Sequence, residues 1–186
     1  MKGLPEFLRR RDANRGFEAM AWTAKRTLLL FLQSPLGAHG LIPVVEFSPA
    51  EEKTVGLYFY RPSPQGGKLG DAALLPDGRI LLIEQNGKTG KKAWQKLVAV
   101  SLDGADNLIG AALAAGEKFD PPAADVKTMA RSEVVDLSAQ GFSRYEKLEG
   151  LALSPSGEPL IVNDNDFGIS GNDPGSHLFI LRALSL

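Results

Sequence analysis

Leu69-Gly70-Asp71-Ala72-Ala73-Leu74-Leu75-Pro76-Asp77-Gly78-Arg79, followed by Ile80-Leu81-Leu82-Ile83, is the stretch that decides the fold. An apolar run, a Pro-Asp-Gly turn and a second apolar run make a tight antiparallel hairpin, because proline fixes φ and glycine accepts φ > 0. The pattern occurs twice more. Upstream, Gly16-Phe17-Glu18-Ala19-Met20-Ala21-Trp22 leads through Thr23–Arg26, a turn without Pro or Gly, into Leu28-Leu29-Leu30-Phe31-Leu32. Downstream, Leu148-Glu149-Gly150-Leu151-Ala152-Leu153 turns at Pro155-Ser156-Gly157 into Leu160-Ile161-Val162. Each unit has an acidic residue near its start (Glu18, Asp71, Glu149). Each second run turns polar at its end, at Gln33-Ser34, Glu84-Gln85-Asn86 and Asn163-Asp164-Asn165-Asp166.

Working outward, Ile42–Phe47 and Val55–Tyr60 complete the first unit as a four-stranded meander, Lys96–Leu102 continues the second, and His177–Leu184 the third. Repeated four-stranded units arranged radially are propeller blades. The expected fold is therefore all-β and β-propeller-like, with about three four-stranded antiparallel blades near 15–61, 68–107 and 147–186. The longer second interval holds an insertion at 108–140: an alanine-rich short helix, a Pro121-Pro122 break and a Val126–Leu137 segment able to add a strand. Propellers close with roughly four to eight blades, so three make a partial ring. The expected partner is a second copy in a homodimer, or missing N-terminal blades.

Composition narrows the function. Lys plus Arg (21) nearly balances Asp plus Glu (22), so no bulk charge draws the chain to nucleic acid or an anionic membrane, and neither is expected as a partner. No apolar stretch approaches the roughly 20 residues that span a bilayer. Met1–Arg11 has no apolar run behind it to serve as a signal-peptide core. The absence of cysteine excludes disulfides and thiolate chemistry. His39 and His177, the two histidines, exclude a multi-histidine metal centre. Gly168-Ile169-Ser170-Gly171 fails the nucleophile-elbow pattern, which argues against a serine hydrolase mechanism.

Four motifs together resemble a known family. They are Asn14-Arg15-Gly16-Phe17-Glu18 with Gln33-Ser34-Pro35-Leu36; Lys68-Leu69-Gly70-Asp71 with Pro76-Asp77-Gly78-Arg79 and Glu84-Gln85-Asn86; Leu148-Glu149-Gly150-Leu151-Ala152; and Asn163-Asp164-Asn165-Asp166-Phe167-Gly168. In order and spacing they are similar to the bacterial phytase-like proteins described as having esterase-like activity, and specifically to the C-terminal half of those longer proteins. The resemblance implies hydrolysis of a small-molecule ester or phosphoester. Members are typically exported, and the compartment of this chain is left open.

In a propeller the first strand of each blade lines the central channel, so Glu18, Asp71 and Glu149 are expected to meet there. Carboxylates held together repel unless they take up protons or share a cation. Ca²⁺ suits oxygen ligands, and Asn163, Asp164, Asn165 and Asp166 would supplement the set. Glu149 and Asp71 are the expected catalytic carboxylates, and Arg15 the clamp for a phosphate or carboxylate. The ordinary alternatives are solvated turn residues for the acids, Asx turns for Asn163–Asp166, and neutralisation of Arg15 by Glu18 or Asp12. Lys127 matches a family position near the channel. His39 and His177 read as surface or capping residues, and Trp22, Trp94 and Tyr58-Phe59-Tyr60 as blade packing. The competing function is a catalytically silent propeller serving as a binding or scaffold module.

Overall fold

The computed structural model describes residues 3–63, 66–121, 125–168, 175–182 and 184. They form three antiparallel sheets. The first contains β1 (Phe17–Trp22), β2 (Leu28–Leu32), β3 (Ile42–Ser48) and β4 (Lys53–Tyr60) in chain order; the second contains β5 (Lys68–Leu74), β6 (Ile80–Gln85), β7 (Gln95–Ser101) and β8 (Ala130–Asp136), also in chain order. The third runs β9 (Leu148–Leu153), β10 (Pro159–Asn163) and β11 (Leu178–Ile180), with β10 central. The all-β class and the blade-like meanders are as expected from the sequence.

Two details differ. Among the described residues the third sheet has three strands, because the expected His177–Leu184 strand pairs with β10 only over Leu178–Ile180. The second sheet runs past the expected bound at 107, taking its fourth strand, β8, from the Val126–Leu137 segment expected to be able to add one. The alanine run forms α1 (Ile109–Ala115), and its flanks dock on the edge of β4 through Leu108 N–H to Leu57 O (2.8 Å) and Met129 N–H to Phe59 O (2.9 Å). That docking returns the chain to pair with β7, so the extra segment is a long connection inside the second sheet.

The three hairpins share one turn. Leu75 N–H donates to Arg79 O (2.8 Å) and Gly78 N–H to Leu75 O (3.0 Å); Ser154 to Glu158 and Gly157 to Ser154 repeat this at 2.8 and 2.9 Å. Thr23 to Thr27 (2.8 Å) and Arg26 to Thr23 (3.0 Å) repeat it again. The fourth turn residue has positive φ each time, Arg26 at 61°, Gly78 at 90° and Gly157 at 86°. This is a type I turn followed by a left-handed residue. Where glycine is absent, Thr23 Oγ1 supports the turn, accepting from Thr27 N–H (3.3 Å) and bonding Thr27 Oγ1 (2.7 Å).

The sheets stack face to face, with β1 against β5 and β5 against β9. Between the first and second sheets, Ala19, Ala21, Leu29 and Phe31 meet Ala72, Ile80, Leu82 and Val98; the cluster also holds Phe7, Leu8, Ala112 and Phe119 with Val45, Leu57 and Phe59, which the register places on the opposite face of sheet one. Between the second and third, Leu81, Ile83, Leu97 and Ala99 meet Leu151 and Ile161. Fully buried Glu84 is satisfied by Tyr60 Oη–H (3.0 Å), Arg131 Nη2 (2.9 Å) and the Ser63 amide, tying β4, β6 and β8 together. A buried charge needs such a complete set of partners.

Candidate functional site

The shared turn gives an unambiguous register. Counting back from Thr23, Leu75 and Ser154, Glu18 corresponds to Gly70 and Glu149, while Asp71 corresponds to Ala19 and Gly150. Strand pairing agrees. Phe17 pairs with Leu32 and Ala19 with Phe31, leaving Glu18 as an extra residue; Leu148 pairs with Asn163 and Gly150 with Val162, leaving Glu149 extra. Both glutamates are β-bulge residues, and bulges re-aim side chains at strand ends. Asp71 stands one position further along β5, and a one-residue step in a strand turns the side chain to the other face.

Asp71 accordingly joins sheets. Its Oδ2 accepts the Leu151 amide of β9 (2.7 Å) and its Oδ1 the Ala72 amide (2.8 Å). Half-burial pushes its carboxyl up, and the two amides pull it partly back. At the bulge position β5 has Gly70, where a Cβ would stand 2.2 Å from the Leu148 carbonyl. No side chain fits there.

Around the strand starts lies a groove of about 260 Å³ lined by Arg15, Glu18, Lys68, Lys147 and Glu149, with Gln33 and Gln85 at its wall. Consecutive sheets are linked at the same place. Leu69 N–H donates to Gln33 O (2.9 Å), and Leu148 N–H donates to Gln85 Oε1 (3.1 Å) while Gln85 Nε2 donates to Leu148 O (3.0 Å). Gln33 Oε1 also accepts from Arg15 Nη1 (2.7 Å) and holds that guanidinium at the groove. Lys147 enters β9 with φ 36° and Asn14, beside Arg15, has φ 58°, a conformation costly for residues other than glycine and concentrated at functional sites. Burial, and then the charges of Arg15 and Lys147, hold the Lys68 ammonium below the usual lysine range, against the opposing pull of Glu149.

The expected residues are thus divided. Glu18, Glu149 and Arg15 come together. Asp71 does not line the groove. Asn163 is buried and closes a loop, accepting from His177 N–H (2.7 Å) and donating to Gly175 O (3.3 Å). Asp164 lies 3.9 Å from Lys147 Nζ, and its amide donates to Lys147 O (2.8 Å). Asn165 O accepts from Gly168 N–H (2.8 Å), a backbone turn, and Asp166 opens the short turn Asp166–Gly168. Ile169-Ser170-Gly171 falls outside the described residues. Lys127 is exposed, its amide on Asp106 Oδ2 (2.9 Å), and does not line the groove. His39 is exposed, and the His177 ring packs 5.1 Å from that of Tyr145. Phe59 and Tyr60 are buried as expected for packing, whereas Trp22 is 53% exposed, because it points from the face of sheet one that no other sheet covers.

No group of three or more His, Asp or Glu among the described residues is placed to hold an ion. The two groove carboxylates face three cations, and the oxygens of Asp71 are engaged by amides. Lys68 and Lys147 are groove residues to which the sequence reading gave no role, although Lys68 opens one of the motifs. They occupy equivalent positions just before the first apolar residue of β5 and β9, a signal visible once the units are aligned on their turns.

Three stacked antiparallel sheets with a charged groove at the starts of their first strands define an all-β class of protein. The chain belongs to the phytase-like family: the family model described as esterase-like activity of phytase matches residues 2–167. Searches among curated proteins and among solved structures matched nothing. No helix among the described residues is long and apolar enough to cross a membrane.

Proposed function

We propose that the chain is a phytase-like, esterase-like hydrolase acting on an ester or phosphoester of an anionic small molecule, and that the groove at the inner-strand starts holds the substrate. The observation that carries this reading is the union of two bulge carboxylates, Glu18 and Glu149, with Arg15, Lys68 and Lys147 in one 260 Å³ space. The cations bind the substrate's negative charge and the charge that develops during attack. Glu149 takes a proton from water as the water oxygen bonds to phosphorus or acyl carbon. The bond to the leaving oxygen breaks, and Lys68, whose ammonium gives up its proton more readily than an ordinary lysine, protonates that oxygen.

The test is turnover of aryl phosphomonoesters and aryl esters. Glu149→Gln is expected to lower kcat/KM by roughly 10²–10⁴-fold, the usual contribution of a positioned acid or base. Lys68→Gln is expected to lower kcat and to flatten the alkaline limb of the pH profile. His39→Ala is expected to retain activity. Millimolar Ca²⁺ is expected neither to raise Tm nor to be required for turnover, since only an ion bound to the native state stabilises it. Activity that survives Glu149→Gln but falls with His39→Ala or His177→Ala overturns the carboxylate mechanism. No turnover of any ester by the unmutated chain favours the silent scaffold.

A further inference from the structure

Two glutamates lie in the layer between the first and second sheets, and they are provided for differently. Glu84, on β6, has Arg131 as its cation. Glu46, on β3, pairs across strands with Leu29 and Gly56, which puts its side chain on the face of sheet one that meets sheet two. It is 8% exposed. Its Oε1 accepts from Thr27 Oγ1 (2.7 Å) and its Oε2 from the Tyr58 hydroxyl (3.1 Å). Burial, and then the charge of Glu46, push that hydroxyl up to about 12, so it keeps its proton and donates. Among the described residues no lysine or arginine forms an ion pair with Glu46. Two hydroxyl dipoles satisfy hydrogen bonding, but a buried carboxylate also calls for a countercharge.

Space for that countercharge lies beside it. A cavity of about 280 Å³, lined by Glu46, opens between the Thr23–Arg26 and Asp77–Arg79 turns, at the ends of β1 and β5 farthest from the charged groove. Leu29, Ile80, Val100 and Leu102 give it an apolar wall. Of its two cations, Lys25 is exposed, and Arg79 Nε is held by Asp77 Oδ2 (2.6 Å). The carboxylates of Glu46, Asp77 and Asp103 outnumber those cations three to two, so the lining carries one negative charge in excess. An apolar cavity of only about 150 Å³ accepts benzene, so there is room here for a ring-sized body together with a charged head.

We propose that this cavity is a second ligand site, for a small organic ammonium whose cationic head sits on Glu46 and whose apolar body lies on Leu29, Ile80, Val100 and Leu102. Each Glu46 oxygen accepts one hydroxyl and retains acceptor capacity for an ammonium N–H. The excess negative charge turns anions away. The apolar wall offers nothing to a hard metal ion, which takes roughly six to eight oxygens. The site is at the other end of the sheets from the groove, and it stands whether or not the groove is hydrolytic.

Isothermal titration of the full chain with benzylammonium tests this, with benzyl alcohol as the probe of the same body and a neutral head. Benzylammonium is expected to bind saturably at millimolar concentration and at least roughly tenfold more tightly than benzyl alcohol, the worth of one charge-assisted hydrogen bond. Glu46→Gln keeps the side chain's size and is expected to abolish that preference. Asp103→Lys changes an exposed residue of the cavity lining without touching the core, so it keeps the test open if Glu46→Gln fails to fold. It is expected to weaken benzylammonium and leave benzyl alcohol unaffected. Glu149→Gln, in the groove, is expected to leave both unchanged. Equal affinity for the two probes, no saturable binding, binding indifferent to both Glu46→Gln and Asp103→Lys, or binding lost with Glu149→Gln each overturns the inference.

Discussion

At Asp71 each carboxylate oxygen takes one backbone amide, one from its own strand and one from β9. An asparagine has a single acceptor oxygen, so Asp71→Asn sets an NH₂ group against an N–H and is expected to cost about 1–3 kcal/mol of stability. The pH dependence follows from the raised carboxyl. A group harder to ionise in the folded chain is no cost while both states are protonated, below the unfolded value near 3.8, and costs stability as pH climbs from there through the folded value. Urea titrations of the two proteins across this range should show that slope in the wild type and its loss in the variant; a variant of equal stability and slope would remove the inter-sheet role. The same residue shows why the site was only half legible. Three acids near three strand starts look equivalent, yet Asp71 lies one residue nearer its turn than Glu18 or Glu149. In a strand that single step separates a groove wall from a sheet interface. The lysines were hidden for another reason, since isolated basic residues at strand entries are common and only spatial convergence distinguishes these.

The hairpins were readable because their chemistry is local. Pro-Asp-Gly and Pro-Ser-Gly specify a turn wherever they stand between apolar runs, and the continuously apolar run of β6 marks a strand covered on both faces, whereas the like run of β10 is covered on one. Thr23–Arg26 is the informative exception, with the same hydrogen bonds and Arg26 at φ 61° in place of glycine. Left-handed backbone is unfavourable for arginine, whereas glycine adopts it freely at a smaller cost in unfolded-state entropy. Arg26→Gly is therefore expected to stabilise the chain by about 1 kcal/mol, a rise measurable as Tm; a fall would mean that the arginine side chain makes a compensating contact. β8 was legible as a segment able to add a strand, but the sheet it joins was not: Ala130–Asp136 carries three charges in seven residues and is mostly exposed, and its place is set by pairing with β7.

Among the described residues the extensive contacts between sheets join neighbours along the chain, β1 with β5 and β5 with β9. Stability in such an array is closer to a sum of unit and interface contributions than to one global quantity. The middle sheet has a core on both sides, whereas the third has three described strands and a single covered face. Amides of β10 paired with β11 are expected to exchange roughly tenfold or more faster than those of β6 paired with β7, read by hydrogen-exchange mass spectrometry below micromolar concentration, where self-association is minimal. Equal protection would mean that the stack opens as one unit. The joint between the middle and last sheets has a further consequence through Gln85, whose one amide group both takes the Leu148 N–H and gives to the Leu148 carbonyl. Such a joint is keyed: a slip along the strand by one residue sets donor against donor, so the sheets hold one offset and cannot creep through intermediate ones. Lys147 and Glu149 flank the key on either side. On the proposed function, the pull of an anionic substrate on Lys147 is therefore resisted by the seating of whole sheets, and the charge stays aimed without waiting for a ligand to organise it.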